Sequence, residues 1–593
     1  MTLAELVSLA AMVAGNGDAA GAVRLYRDWL AREDTSSKYF AWFNLGVMLA
    51  EQGDHDGAAN AYRAALADNP SFAQARINLG RWHEDAGQVD AAISEWLAAL
   101  ALLSTQPEAP AAYSVMTLNN LGRLWEQQHD YASAESVLSQ SLAIDPAQPD
   151  VIQHWVHLRQ KQCAWPVYAA IPGVSSHAML MATSPLAMLG LHDDPALQLS
   201  AAQSFVLRKF SDLPVVSVHV PATTGDGAQR KLRLGYLGGN LCVHAVGLLL
   251  ADVLEHQDRE RFESHAFCYS PEDGTAYRQR LLACFDHVHR VNRLSDAQAA
   301  ELITACGIDV LIDLHGLSDG VRPAILARRP APVQVGWLGF IGTTTLPFID
   351  HLIADRFALP ESQRMYYSES PLYLSRSVLP LVPRTKPTQT VTRDAVGLPD
   401  KAFVFACLNN TYKINPEVFR CWMRILQAVP ESVLWLVDDN APATKHLRAA
   451  AAQHGVDSSR LIFAPRAPVN EYLARFTCAD LFLDTWPYNA GSTACDALGM
   501  GLPLLTLPGK TFVSRMAGSL LHHAGLEELI ATSADDYVAR AIALGEGSER
   551  IQSVRRELAY ALTSHEFADP CTYMREVETL LSRLTSLPLG RVA

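Results

Sequence analysis

The stretch DTWPYNAGSTACDALGMG (484–501) sets one acid in an apolar run, then five small or turn-prone residues, Asn489 to Thr493, then a segment of helical pattern with Asp496 in its first turn. A Gly/Ser/Thr turn entering a helix leaves backbone N–H groups unpaired and aims the positive end of the helix dipole at its occupant. Gly491, Ser492 and Thr493 therefore predict an anion site, with the two hydroxyls as extra donors. Asp496 is a poor phosphate ligand but a good acceptor for ribose hydroxyls, and phosphate beside ribose describes a nucleotide. The same residues have a purely structural reading, in which Ser492 or Thr493 caps the helix and Asp496 complements its dipole.

Such a turn needs a strand before it and a helix after it, and the surrounding sequence supplies both in series. Strand-like runs at 231–239, 263–270, 287–291, 309–316, 332–340 and 351–360 alternate with helical ones such as 247–262 and 295–307. A second series begins near residue 400 with AFVFACLNN and continues through SVLWLVDD, RLIFAPR, LFLDT and PLLTLPG, again with helical segments between. Alternation at this spacing predicts two doubly wound parallel sheets, with ligands at the carboxyl ends of the strands. The dinucleotide fingerprint G-x-G-x-x-G is absent, since the first turn reads GYLGGN.

The first quarter of the chain is organised differently. An N-L-G core recurs at Asn44, Asn78 and Asn120, spaced 34 and 42 residues apart, in paired amphipathic helical segments. That is the tetratricopeptide pattern, and residues 3–34 read as a degenerate first repeat. The array predicts either a groove that captures a polypeptide or a scaffold and homodimerisation surface. The divisions expected are repeats over 1–150, a helical connector and polar linker over 151–230, Rossmann-like halves over 231–395 and 396–565, and a C-terminal helix over 566–593. In the connector, 155–171 and 184–210 read as helical.

Composition narrows the classes. The 593 residues are 49% hydrophobic with 35 glycines and 32 prolines, which excludes fibrous and disordered readings. A formal charge of -14, with 48 basic and 62 acidic residues and no basic run, argues against nucleic acid. Ten scattered cysteines without metal-ligand spacing read as reduced thiols of a cytoplasmic protein. The first 22 residues do not read as a signal peptide, no apolar run reaches a membrane span, and no metal or cofactor is expected.

Four segments, LNNTYKINPEVFRCWMRILQAVPESVLWL (408–436), RLIFAPRAP (460–468), 479–521 and RRPAPVQVGWLGFIGTTTLPFIDHLIAD (328–355), resemble the catalytic region of the O-GlcNAc transferase family. That family includes SPINDLY-type fucosyltransferases and bacterial homologues and also places tetratricopeptide repeats before two Rossmann-like halves. The resemblance implies an all-α repeat array followed by an α/β catalytic region of the GT-B type. It further implies an inverting, metal-independent transfer of a sugar, GlcNAc from UDP-GlcNAc, to serine or threonine hydroxyls of proteins. GDP-fucose or UDP-glucose as donor, or asparagine as acceptor, are the enzymatic alternatives, and a non-catalytic repeat adaptor is the other.

Carried over by position, Lys413 implies a diphosphate ligand that stabilises the leaving group, with Asn410 near the same phosphate. Arg466, Ala467 and Arg475 imply the base-binding segment, and Gly491, Ser492, Thr493 and Asp496 fall on the phosphate and ribose positions. His244, just after the first strand, implies a residue that takes a proton from the acceptor or orients it. Asp313 and His315 imply contacts to sugar or acceptor. The sequence departs from animal members at Gly491, where they carry histidine, at Val469 and Tyr472 in the base segment, and at Ala245 after the cleft histidine.

Overall fold

The computed structural model describes residues 1–213, 230–384, 391–563 and 567–586. The polar linker expected near 220–231 lies largely outside the described residues, as do residues 566 and 587–593 of the expected C-terminal segment. The chain divides into two compact units, one of Met1–Leu158 with Ala169–Met179, the other of Arg159–Tyr168 with Leu180–Ala593.

The first unit is a run of antiparallel helix pairs: α1 (Leu3–Gly15) with α2 (Ala19–Arg32), α3 (Lys38–Glu51) with α4 (His55–Asp68), α5 (Ala73–Asp85) with α6 (Val89–Ser104), and α7 (Ala111–Gln127) with α8 (Tyr131–Ile144), followed by α9 (Pro149–Lys161). The glycine of each N-L-G core sits where the two helices of a pair cross. A Cβ on Gly46, Gly80 or Gly122 would lie 2.4, 2.4 or 2.3 Å from Tyr62, Trp96 or Leu138, so the second helix can approach only a residue without a side chain. Asp18, Asp54 and Asp130 cap the second helices by accepting from the N–H of Gly21, Gly57 and Ser133. Two of the asparagines hydrogen-bond backwards, Asn44 to Tyr26 and Asn78 to Tyr62, which stitches the second and third pairs to their predecessors.

The expected helix over 155–171 stops at Lys161, because Pro166 cannot continue it. After α10 (Ser176–Ala182), the stretch 184–210 splits into α11 (Pro185–Leu191) and α12 (Pro195–Phe210), the second started by Asp194, which accepts from Ala196 and Leu197 N–H.

Two parallel sheets follow. The first has strands β1 (Leu232–Gly238), β2 (Phe262–Cys268), β3 (His287–Arg290), β4 (Val310–Asp313), β5 (Val333–Gly336), β6 (His351–Asp355) and β7 (Ser370–Leu374), in the order β3-β2-β1-β4-β5-β6-β7. Helices α13 (Ala245–Leu254), α14 (Ala276–Ala283), α15 (Asp296–Ala305) and α16 (Pro323–Ala327) connect its strands. Strand β7, which reads only as SPLYL, has no counterpart in the sequence-based expectation. The second sheet has β8 (Phe403–Cys407), β9 (Ser432–Val437), β10 (Leu461–Ala464), β11 (Leu481–Leu483) and β12 (Leu504–Leu505), in the order β10-β9-β8-β11-β12. Its helices are α17 (Pro416–Ala428), α18 (Ala441–Gln453), α19 (Val469–Arg475), α20 (Ser492–Gly499) and α21 (Met516–His523). The chain ends in α22 (Ala534–Glu546), α23 (Ser548–Thr563) and α24 (Pro570–Ser586).

Helix α24 returns to the first half. Tyr573 donates to the Val378 carbonyl, Glu576 pairs with Arg376 at 2.9 Å, and Glu578 accepts from the Asp258 N–H at 2.8 Å. Together with α13 and α20, it joins the two sheets into one body with a continuous apolar core.

Candidate active site

The quoted turn follows β11 and opens α20. Gly491 is the N-cap, and no side chain caps the helix, so neither Ser492 nor Thr493 takes the structural role open to it. Among the described residues, the backbone N–H groups of Gly491, Ser492 and Thr493 have no acceptor in the chain. Three donors at the positive end of a helix dipole thus remain for an anion.

The turn is held by Asp484, the acid of the apolar run. Its carboxylate is fully buried and accepts from the N–H of Ala490 at 2.7 Å, the N–H of Thr485 at 2.8 Å and the Thr506 hydroxyl at 2.6 Å. Burial pushes its pKa well above the usual carboxylate range, against those hydrogen bonds and the nearby Lys413 charge.

Lys413 arrives from the loop after β8, the strand beside β11. That loop fastens to the β11 loop through Asn409 to Thr485 at 3.0 Å and Asn415 to the Trp486 carbonyl at 2.5 Å. Lys413 is 8% exposed; Nζ donates to the Asn489 carbonyl at 3.1 Å and lies 4.1 Å from the centre of the Tyr488 ring. Burial lowers its pKa, and the Asp484 carboxylate opposes that shift. An ammonium has three N–H donors, so two remain for a ligand beside the N–H groups of the turn.

Asp496, placed by the sequence on a ribose, is 3% exposed and paired inside the protein. Arg384 donates to its Oδ1 through Nε at 3.1 Å and Nη2 at 2.8 Å, and also pairs with Asp252 of α13. Burial raises the Asp496 pKa, while Arg384 and the Tyr472 hydroxyl lower it. Tyr472, at a position where the sequence departs from animal members, hydrogen-bonds both Thr493 and Asp496 and so ties α19 to α20. Arg384 stands in the segment between the halves, where nothing in the local sequence marks a lone arginine as a bridge.

In the base segment, Arg466 donates to Asn410 Oδ1 at 3.0 Å and pairs with Asp439, linking the loops after β8, β9 and β10. Burial raises the Asp439 pKa, but hydrogen bonds from Thr411 and Arg466 more than offset this and hold it low. Arg475 is buried and spends its guanidinium on the Pro465 carbonyl and on Glu471 at 2.6 Å, so it shapes the 465–468 turn from behind. Ala467 is half-buried, and among the described residues neither its N–H nor its carbonyl is hydrogen-bonded, which leaves one backbone donor and one acceptor for an edge-on base.

Asp193, in the connector, accepts from the N–H groups of Lys510 and Thr511 and from the Ser514 hydroxyl, at 2.8, 3.0 and 2.8 Å. It fixes the 509–514 loop, whose Val513 carbonyl in turn accepts from the Asn489 N–H at 3.2 Å.

On the first sheet, His244 is the N-cap of α13. Its exposed ring accepts at Nδ1 from the Val246 N–H at 3.3 Å, and desolvation and the neighbouring His315 both lower its pKa. A neutral imidazole accepting at Nδ1 carries its proton on Nε2, so the ring presents a donor to solvent.

Asp313 and His315, expected against sugar or acceptor, are instead engaged within the protein. Both Asp313 oxygens accept backbone N–H groups, from His315 at 3.1 Å and Gly316 at 2.9 Å. His315 meets Asn240 at Nδ1, 3.2 Å, and the Asp319 carbonyl at Nε2, 2.7 Å. Each residue is 2% exposed. They brace the loop after β4 against the GWLGF loop after β5. Gly339 makes that contact, since a Cβ there would stand 2.0 Å from the Leu314 carbonyl oxygen.

Two parallel sheets joined by a returning C-terminal helix, with a helix-borne anion site on the second and an exposed histidine on the first, define a GT-B type fold with the parts of a glycosyl-transfer site. The chain belongs to glycosyl transferase family 41, whose model matches residues 205–379 and 382–577, and a tetratricopeptide repeat model matches 13–62 and 49–112. It is similar to the probable UDP-N-acetylglucosamine–peptide N-acetylglucosaminyltransferase SEC of Arabidopsis thaliana, 29% identical over 457 residues, 73% of this chain and 46% of the relative. The UDP-N-acetylglucosamine–peptide N-acetylglucosaminyltransferase of Caenorhabditis elegans is 27% identical over 481 residues, 62% of this chain and 42% of the relative. The chain thus spans under half the length of these curated relatives. A solved point mutant of the Thermobaculum terrenum O-GlcNAc transferase matches with a TM-score of 0.66 at 28% identity, covering 93% of this chain and 98% of that one. Among the described residues, no helix is long and apolar enough to cross a membrane.

Proposed function

We propose that this chain transfers N-acetylglucosamine from UDP-N-acetylglucosamine to serine or threonine hydroxyls of proteins with inversion. The observation that carries the reading is the pairing of Lys413 with the unpaired N–H groups of Gly491 to Thr493. That arrangement can receive a diphosphate whose charge grows as the glycosidic bond breaks. Donor identity rests on the names of the similar plant and nematode proteins.

In this reading the diphosphate lies on the α20 terminus and Lys413, and the base meets the Ala467 backbone. Asn410 and Arg466 border the same pocket. The Arg384–Asp496–Tyr472 cluster holds α20 in place, and Asp496 reaches the ribose only through the oxygen that Arg384 leaves free. His244 orients the acceptor hydroxyl or the sugar through Nε2–H. No cofactor or metal takes part in the step: the cationic work falls to Lys413 and the helix terminus. The repeats present the acceptor polypeptide, and ten free thiols suit a reducing, cytoplasmic setting. Incubating the protein with UDP-N-acetylglucosamine, GDP-fucose and UDP-glucose in turn and measuring released nucleotide tests the donor. Release from either alternative in preference to UDP-N-acetylglucosamine overturns this assignment.

A further inference from the structure

Away from the nucleotide loops, the edge of the first sheet gathers five side chains with metal-ligating atoms. Strand β3 is the edge strand and pairs with β2 in the register His265↔His287 and Phe267↔His289. Because side chains alternate along a strand, Glu263 and His265 share one face of β2, and His287 and His289 share one face of β3. Cys306, the C-cap of α15, comes down on that same face, its carbonyl held by Arg233 at 3.0 Å.

Two of the distances are those of a coordination shell. His265 Nδ1 lies 3.2 Å from His289 Nε2, and Cys306 Sγ lies 3.7 Å from the same His289 nitrogen. The ligand atoms of this trio all fall within 4.8 Å of one another. Zinc bonds of about 2.0–2.1 Å to nitrogen and 2.3 Å to sulfur at the tetrahedral angle place two nitrogens about 3.3 Å apart and nitrogen and sulfur about 3.6 Å apart.

A second observation points the same way. His265 is 6% exposed, and its Nε2 has no hydrogen-bond partner, yet it faces Glu263 Oε1 at 3.6 Å. A metal on Nδ1 moves the ring proton to Nε2 and turns that contact into the carboxylate–histidine pair that orients ligating imidazoles. Without a metal, the two facing ring nitrogens compete for one proton in a buried place.

We propose that His265 Nδ1, His289 Nε2 and Cys306 Sγ bind one divalent late first-row metal ion, zinc by the chemistry of the donor set, with Glu263 as the outer partner of His265 and solvent in the fourth position. Binding releases the Cys306 thiol proton to water. His265 stands mid-strand in β2, His289 is the third of four residues of the edge strand β3, and Cys306 lies on the turn leading into β4. His244 and the loop after β4 follow the carboxyl ends of β1 and β4, which lie on the far side of β2 from β3. The ion is therefore structural, clamping edge strand β3 to α15, and takes no part in sugar transfer.

The test uses the full-length protein, stripped with a chelator in a non-thiol reductant and titrated with Co²⁺. One equivalent should give the near-ultraviolet thiolate-to-cobalt charge-transfer band and raise the unfolding temperature, and one equivalent of Zn²⁺ should displace it. Cys306→Ser should abolish the band, and His289→Gln should weaken binding by about 100-fold or more. Glu263→Gln should weaken it by about 10-fold. The two ligand variants are read in parallel, so that a folding defect in one leaves the other decisive. Absence of the band in the parent protein, its persistence in Cys306→Ser, or Co²⁺ affinity unchanged in His289→Gln overturns the site.

Discussion

Replacing Lys413 by methionine keeps nearly the same volume while removing the charge, so the cavity cost is small. Asp484 retains its three hydrogen-bond donors but loses the opposing charge beside it, so the unfolding temperature should fall. Catalysis should fall further than a folding defect explains. In the parent, Nζ spends one N–H on the carbonyl of Asn489, two residues before Gly491, from a position 8% exposed. Loss of one such preorganised donor costs about 100- to 1,000-fold in turnover, roughly 2.7–4 kcal/mol. A non-hydrolysable donor analogue carries less charge on its terminal phosphate than the leaving nucleotide does. Its affinity should therefore fall at least about tenfold less than turnover, and UDP affinity should fall more than that of the analogue. Calorimetric titration with both ligands beside steady-state nucleotide release measures the three quantities. Equal losses in all three would mean that Lys413 binds the ground state only, and no loss in any would remove it from the site.

The depressed Lys413 pKa gives a proton signature. As pH rises through that lowered pKa the free protein loses the Lys413 proton, and a bound diphosphate restores it, so UDP binding should take up protons on the alkaline side and weaken as pH rises. Calorimetry in buffers of different ionisation enthalpy should show this uptake in the parent and not in Lys413→Met. Asp496→Asn should leave Arg384 short of one buried partner and cost about 3–5 kcal/mol of stability by denaturant unfolding, whether or not donor affinity changes. His244→Gln, which keeps an N–H donor but cannot act as a base, should retain transfer within about tenfold; a loss of about 100- to 10,000-fold would restore the base reading. Removing residues 1–150 should spare donor hydrolysis while transfer to protein acceptors falls; undiminished transfer would make the repeats a scaffold.

Much of this architecture is written locally. Each N-L-G glycine reports a helix crossing, and the strands around the site are short apolar runs bounded by turns, so eleven of the twelve strands could be located, with ends a few residues too long. β7 escaped because SPLYL carries a proline at its second position and is too short to carry a period. The 184–210 stretch looked continuous because Asp194, which starts the second helix, reads equally well as a surface acid. Site residues divide along the same line. Gly491 to Thr493 are legible because backbone donors at a helix start follow from the turn itself. Whether Asp496 or His315 points to a ligand depends on partners far away in sequence. Arg384 stands 112 residues from Asp496, and Asn240 stands 75 from His315. The histidine and cysteine cluster was invisible for that reason: its ligands come from two strands and a helix end, at none of the spacings by which metal motifs are recognised.

The central claim is sugar transfer to protein hydroxyls at the junction of Lys413 and the α20 terminus. Its most direct test is incubation of the purified chain with UDP-N-acetylglucosamine and acceptor polypeptides, with Lys413→Met in parallel, followed by mass spectrometry of the products. The account predicts one N-acetylhexosamine on serine or threonine with the parent and almost none with the variant. Donor turnover with no sugar on any polypeptide, or equal modification by both proteins, would contradict it.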